Sequence, residues 1–305
     1  MKQHIHWKAD AQYPYVLNLD DKFKPYTSLA ELDYKKFNFK GGEPHFQITN
    51  EVKYVGDLII TQRYNSISDL FDIILANDAA RRMGFKNISL ILPYFPAARQ
   101  DRVCNEGEPL TIKVFTDMIN SCGFESVTIL CPHSEVTPAL INNVVVLDEL
   151  KYVHQAIKDS RDDKHTYNIV CPDAGAGKRV QKIVQYMSNL FDSLDFNLIR
   201  CEKVRDVKDG SIKEFFVGED DLGGYPTIIC DDLNSMGGTF IGLGKKLREK
   251  NCGKLMLFTA HSDCVEGIQN VIENFDHVYT TNSKKDWDQF NYTFDRRFTC
   301  FKIEL

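Results

Sequence analysis

The sequence predicts an α/β protein of two tandem domains, each a mainly parallel sheet flanked by helices. Three observations carry that prediction. Apolar runs alternate with amphipathic stretches along most of the 305 residues. Several runs are apolar throughout, the pattern of strands covered on both faces. The two halves also echo one another: a helix, Ser121-Cys-Gly123, a strand and Cys131-Pro-His133 in the first, then a helix, Asn251-Cys-Gly253, a strand and Thr259-Ala-His261 in the second. The echo predicts a duplicated domain, residues 1–150 and 151–305, with the boundary between 145 and 155.

Each element has its own signal. Gly56–Gln62 is a strand-like apolar run, and Ser68–Met83 carries apolar residues at helical spacing up to Gly84, a helix stop. Ser89–Phe95 is strand-like, Pro109–Ser121 helical with proline in its first turn, and Ser126–Cys131 a strand. The rhythm resumes with strand Asn168–Cys171, helix Val180–Leu190, strand Thr227–Cys230, helix Phe240–Lys250, and strands Lys254–Thr259 and His277–Thr280. Glu202–Gly224 is charged and glycine-bearing without clear periodicity, and is expected to be a long mobile loop of the kind that forms lids.

Composition excludes several classes. A hydrophobic share of 43% and a net charge of -6 suit a globular chain and argue against a general nucleic-acid binder. Nine cysteines without C-x-x-C or zinc-type spacing fit a reducing compartment. The N-terminus lacks a signal peptide's apolar stretch, and no run approaches the roughly 20 apolar residues of a membrane span. The expectation is a soluble cytoplasmic protein without membrane or nucleic-acid partners.

The chemically loaded segments fall at the C-terminal ends of expected strands, where open parallel sheets bind ligands. In Thr227–Thr239 an apolar run delivers Asp231 and Asp232, and then the small-residue turn Ser235-Met236-Gly237-Gly238-Thr239 opens a helix. Bare backbone N–H groups at a helix start suit a phosphate, and the acids suit sugar hydroxyls or a metal. A phosphorylated ribose satisfies both. Cys171–Arg179 gives Asp173 at a strand end, a glycine-rich turn and two cations, without Walker A spacing; Asp173 suits a sugar or magnesium, and Lys178 equally suits a helix surface. Arg99 and Arg102 flank Gln100 and Asp101, arginines for phosphate oxygens and an amide for a base edge. His133 could meet a metal or a phosphate oxygen. Lys203 and Arg205 share one face of an extended segment, where mobile cations can stabilise charge that develops in phosphoryl transfer.

Together these segments resemble ribose-phosphate pyrophosphokinase (phosphoribosyl pyrophosphate synthetase), in order and over nearly the whole chain. Phe39-Lys-Gly-Gly-Glu43 is similar to the family's adenine loop, and Pro93-Tyr-Phe-Pro-Ala-Ala-Arg-Gln-Asp101 to its Pro-Tyr-Phe-Pro-Tyr-Ala-Arg-Gln-Asp signature. Cys131-Pro-His-Ser134 resembles the magnesium-contacting Asp-Leu-His-Ala, Pro172–Arg179 the Pro-Asp-x-Gly-x-x-Lys-Arg segment, and Lys203-Val-Arg205 the catalytic Lys-x-Arg. The resemblance implies two phosphoribosyltransferase-like domains, a magnesium cofactor, and assembly into a homo-oligomer, a dimer or hexamer. It also implies transfer of the β,γ-pyrophosphoryl group of ATP to the C1 hydroxyl of ribose 5-phosphate. By the same resemblance Phe39, Glu43, Arg99, Gln100 and His133 would meet ATP, and His133 and Asp173 magnesium. Asp173, Asp231 and Asp232 would meet the ribose, Ser235, Met236, Gly237, Gly238 and Thr239 its phosphate, and Lys203 and Arg205 the transition state.

Three departures stand out. The family's loop reads Asp-Asp-x-x-Asp-(Thr/Ser)-x-Gly-Thr, whereas Ser235 and Met236 here replace the third acid and the hydroxyl. Val103–Glu108 replaces a basic stretch, and Gly41 an acid or amide of the adenine loop. The altered loop leaves two acceptors open: ribose 5-phosphate, or ADP-ribose as in phage-type relatives that rebuild NAD. A catalytically silent regulatory subunit is the alternative from another class; retention of Lys203, Arg205, His133 and Asp173 speaks against it.

Overall fold

The computed structural model describes residues 14–52, 56–160, 163–205, 212–287 and 296–305, and it divides into two compact units. Unit 1 is Met1–Leu147 with the tail Ile303–Leu305, and unit 2 is Asp148–Lys302.

Unit 1 runs β1 (Tyr15–Asn18), β2 (Ala30–Glu31), β3 (Tyr34–Asn38), β4 (Pro44–Ile48), β5 (Leu58–Thr61), α1 (Ile67–Arg82), β6 (Ile88–Ile91), α2 (Thr111–Ser121), β7 (Ser126–Leu130), α3 (Val136–Leu140) and β8 (Val144–Leu147). Its sheet has the order β2-β1-β5-β6-β7-β8 with every pair parallel, while β3 and β4 form a separate antiparallel hairpin. β5 and β6 are buried at every residue, as their unbroken apolar character requires. α1 starts where Asp69 accepts from the backbone N–H groups of Asn65 and Ser66, each at 2.7 Å, and stops at Gly84, whose φ of 103° a side chain would disfavour. α2 begins two residues later than expected, so Pro109 lies before the helix.

Unit 2 runs α4 (Leu150–Asp159), β9 (Thr166–Cys171), α5 (Gly177–Leu190), β10 (Asp195–Arg205), β11 (Ile212–Val217), β12 (Thr227–Asn234), α6 (Gly238–Glu249), β13 (Leu255–Ser262), α7 (Val265–Ile272), β14 (His277–Thr281) and β15 (Phe298–Phe301). The sheet order is β11-β10-β9-β12-β13-β14-β15, parallel except for β11. In both units the first parallel strand lies inside the sheet, and the chain adds strands to one side of it and then the other. The strand order therefore reverses beside β9 and beside β1, and a crevice opens beyond the carboxyl ends there.

Two expectations are corrected. The charged stretch from Glu202 is no structureless loop: β10 continues to Arg205 and pairs with β11, Cys201 opposite Val217 and Lys203 opposite Phe215. Phe215 and Val217 are buried while Phe216 is exposed, a period-two pattern that the intervening charges disguise. Residues 206–211, part of the expected loop, lie outside the described residues. β12 likewise runs past Cys230 to Asn234, because β13 extends beside it and pairs Asp231 with Thr259 and Leu233 with His261. The two acids thus lie inside the strand rather than at its edge. No helix among the described residues is long and apolar enough to cross a membrane.

Candidate active site

The crevice of unit 2 holds most of the sequence-predicted groups. Asp173 follows β9, and the turn after it brings the Ala176 N–H to its Oδ1 at 3.2 Å. Lys203 reaches the same carboxylate from the neighbouring strand, its Nζ donating to Oδ2 at 2.5 Å. Burial pushes the Asp173 carboxyl up. The Lys203 hydrogen bond and charge, with the N–H groups of Ala176 and Gly175, outweigh burial and hold it below the ordinary carboxylate range. Arg205 is the last residue of β10, and its side chain lies outside the described residues.

Beside this pair, Arg179 projects from the first turn of α5 into three carboxylates. It binds Asp231 most closely, Asp232 at 3.1 Å and Glu149 at 3.8 Å, and all four side chains are largely buried. One guanidinium faces three acids. Burial pushes the Asp231 carboxyl up; Arg179 pulls it down, and Asp232 pushes it up again, leaving it well above its ordinary value. The cluster holds two carboxylates side by side at the crevice, ready to accept hydroxyl hydrogen bonds.

The turn from β12 into α6 lies next. α7 packs directly against it: Cys264 Sγ donates to the Ser235 carbonyl at 3.4 Å and Asn270 Nδ2 to the Met236 carbonyl at 3.1 Å. A Cβ on Gly267 would sit 1.5 Å from the Ser235 oxygen, so only glycine permits the approach. In a planar trans peptide, N–H and C=O point in opposite directions. With both carbonyls turned to α7, the N–H groups of Met236 and Gly237 face away from it. Gly237, at φ 81°, leads into Gly238 and Thr239, where α6 starts without a side-chain cap. Backbone N–H groups so arranged at a helix N-terminus form a nest of the kind that suits an anion. Ser235 is half-buried, and Met236, half-exposed, brings no hydroxyl to the nest.

In unit 1, Arg99 and Gln100 are exposed on the turn after β6, and His133 is exposed after β7. Asp101 ties the two turns together. Its buried carboxylate accepts from Arg102 at 2.9 Å and from Ser134, and those bonds, with the nearby His133, lower its pKa against burial. Ala97 and Cys131 take left-handed φ values of 58° and 40° on these same turns, a strain that folds keep mainly where geometry serves function. Phe39 and Glu43 lie on the β3–β4 turn, Phe39 exposed with Phe37 at 5.0 Å and His45 at 5.7 Å. A groove of about 550 Å³ runs beside this aromatic cluster, lined by Phe37, His45, Ile67 and Phe71.

Residues 18–123 match the model of the N-terminal domain of ribose phosphate pyrophosphokinase. The ribose-phosphate pyrophosphokinase of Pyrococcus abyssi is 25% identical over 273 residues, covering 87% of this chain and 88% of that one. That of Mycoplasma pneumoniae is 28% identical over 226 residues, 73% of this chain and 66% of the other. Over most of its length the chain is similar to ribose-phosphate pyrophosphokinases. The fold agrees: the crystal structure of phosphoribosylpyrophosphate synthetase from Mycobacterium smegmatis superposes with a TM-score of 0.78 at 20% identity, covering 96% of this chain and 95% of that one.

Three residues of the site carry no sequence signal that singles them out: Glu149, Gly267 and Asn270 lie far from the acids in sequence. Arg179 stands in the Pro172–Arg179 segment, but nothing there marks it as the partner of Asp231 and Asp232. Among the described residues no group of three or more His, Cys, Asp or Glu side chains could hold a metal by itself. Asp173, a single carboxylate one-third exposed at a strand end, suits magnesium that arrives with phosphates and keeps most of its water.

Proposed function

We propose that the chain transfers the β,γ-pyrophosphoryl group of ATP to the C1 hydroxyl of a 5-phosphorylated ribose. One observation carries the reading. At a single crevice in unit 2 an acid pair, an N–H-lined turn and the Asp173–Lys203 couple lie side by side. The acids would hold ribose hydroxyls and the turn the 5-phosphate. The C1 oxygen would bond to the β-phosphorus, the bond to the oxygen bridging the α- and β-phosphorus would break, and AMP would leave with that oxygen as the hydroxyl proton is released. Lys203 would turn from Asp173 to the charge developing on the transferred group. Arg205 is proposed beside it from the resemblance. Magnesium, when bound, would offset phosphate charge, and Asp173 is the residue at this crevice suited to meet it; a magnesium role for His133 is proposed from the resemblance alone. Arg99 and Gln100 would take ATP phosphates and base, and the exposed rings about Phe39, with Glu43, would take adenine. The family assembles as homo-oligomers, and the same is proposed here.

Met236 supports a second acceptor. A terminal phosphate carries close to two charges and rewards several donors, whereas a phosphate within a diphosphate carries one and needs room to continue. A loop without a side-chain hydroxyl at this position suits the latter, and ADP-ribose is that acceptor. Incubation with ATP, magnesium and either ribose 5-phosphate or ADP-ribose, with products identified by mass, separates the readings. Both products are expected, none in EDTA, and Ser235→Asp with Met236→Thr is expected to shift the kcat/KM ratio toward ribose 5-phosphate. Turnover of ribose 5-phosphate alone removes the ADP-ribose reading. Turnover of neither acceptor removes the proposed reaction.

Gly267→Ala tests the nest. Its Cβ would force the Ser235 carbonyl aside, and KM for the acceptor is expected to rise on the order of 10-fold or more while KM for ATP stays within about two-fold, the loss of one or two charge-assisted bonds. An unchanged acceptor KM would place the phosphate elsewhere.

A further inference from the structure

Asn234, the last residue of β12, is fully buried, yet neither its Oδ1 nor its Nδ2 has a partner among the described residues. Its backbone is fixed, since its carbonyl accepts from the Asp263 N–H at 2.9 Å. Its Oδ1 lies 3.7 Å from where a Cβ on Gly237 would stand, so the carboxamide abuts the inner side of the turn that opens α6. A primary amide can donate twice and accept twice. Burying one unpaired is unfavourable, and an apolar side chain there would serve the fold better. A position that gives up stability in this way points to a second state in which the bonds are made.

The turn itself offers that state. α7 holds the Ser235 and Met236 carbonyls from the outside. The Gly237 carbonyl accepts from the Ile241 N–H at 3.0 Å, the first bond of α6; with no side chain on either residue, the Gly237–Gly238 peptide is the one that can rotate, exchanging that terminal bond for one to a buried partner. An anion drawing N–H groups toward itself turns the carbonyls of the same peptides inward. Asn234 is the buried amide on that side: its Oδ1 lies nearest the turn as it stands, and a half-turn of the carboxamide presents Nδ2 as the donor.

We propose that Asn234 is the positioning residue of this turn: its carboxamide pairs with the turn backbone when the turn closes on the acceptor's phosphate, and so favours the closed form. The inference rests on the reading of the turn as the phosphate site. A ligand gains affinity from such a bond because it forms in one state and not in the other.

The test combines thermal melts with steady-state kinetics, on the full chain with magnesium and, in the melts, a non-hydrolysable ATP analogue. Asn234→Ala is expected to melt no lower than the wild-type protein without acceptor. Its added melting shift with ribose 5-phosphate is expected to be largely lost. KM for ribose 5-phosphate is expected to rise about ten-fold, the scale of one buried hydrogen bond, with KM for ATP unchanged. Asn234→Ser, which restores a small donor, is expected to fall between. A lower melting temperature in Asn234→Ala with the acceptor shift and KM intact overturns the inference and makes Asn234 a structural residue. Absence of any ribose 5-phosphate shift in the wild-type protein overturns the phosphate reading and the inference together, whereas equal shifts in wild-type and Asn234→Ala overturn the inference alone.

Discussion

Arg179→Ala is expected to destabilise unit 2 by about 3–5 kcal/mol, the scale of removing one partner from a buried ion cluster. The guanidinium is the cation between Asp231, Asp232 and Glu149, and without it three carboxylates face one another in a largely water-excluded crevice. Arg179→Lys keeps the charge but loses the planar fork that spans two acids, so a smaller loss is expected. Urea unfolding followed by circular dichroism measures both. The deficit has a pH signature. Asp231 has a folded-state pKa raised above its unfolded value, so the folded form binds the extra proton and stability falls as pH rises through that range. Losing Arg179 raises it further, so the Arg179→Ala deficit is expected to shrink from pH 8 to pH 5. A deficit below about 1 kcal/mol at pH 8, or one that grows on acidification, would contradict this account of the cluster.

Lys203→Ala is expected to lower kcat on the order of 10²-fold or more while changing KM for ATP little, the consequence of losing a preorganised charge felt chiefly in the transition state. In the free protein the lysine is held by Asp173 at 2.5 Å, on a strand rather than on a mobile loop, so its starting position is fixed. Asp173→Asn removes that anchor and is expected to lower kcat as well. Steady-state kinetics over a range of ATP concentrations decides the point. A Lys203→Ala enzyme that binds ATP poorly but turns over normally at saturation would make Lys203 a ground-state binding group.

How much of this was legible in the sequence depends on which face of an element carries its chemistry. The central strands β5, β6, β7, β12 and β13 are apolar over most of their length and stand out unaided. The β10–β11 hairpin does not, because Glu202 and Glu214 alternate with the residues that pack, and Lys203 takes a place on the packing face itself, so the pattern looks like a solvated run. The β3–β4 hairpin is mostly exposed, so it lacks an apolar face to betray it. Within the site, Asp231 and Asp232 are conspicuous because they are adjacent and end an apolar run. Their counter-charge is not, since Arg179 precedes Asp231 by 52 residues and meets it only through the β9–β12 pairing. Asn234 is the extreme case. A single asparagine among polar neighbours has no sequence signature, and only its burial without a partner sets it apart.

The fold is duplicated, so it has a second strand-order reversal, beyond β1 and β5, and the protein has filled it with its own atoms. Arg63 follows β5, pairs with Asp20 at 2.7 Å and lies 5.6 Å over the Phe23 ring, its side chain 4% exposed. There one guanidinium meets one carboxylate and the charges balance, whereas in unit 2 three carboxylates share the single guanidinium of Arg179. The stoichiometry of acceptor binding follows: calorimetric titration should saturate at one equivalent per polypeptide rather than two, however many copies assemble. In unit 1 the place a ligand would take is held by a side chain of the chain itself.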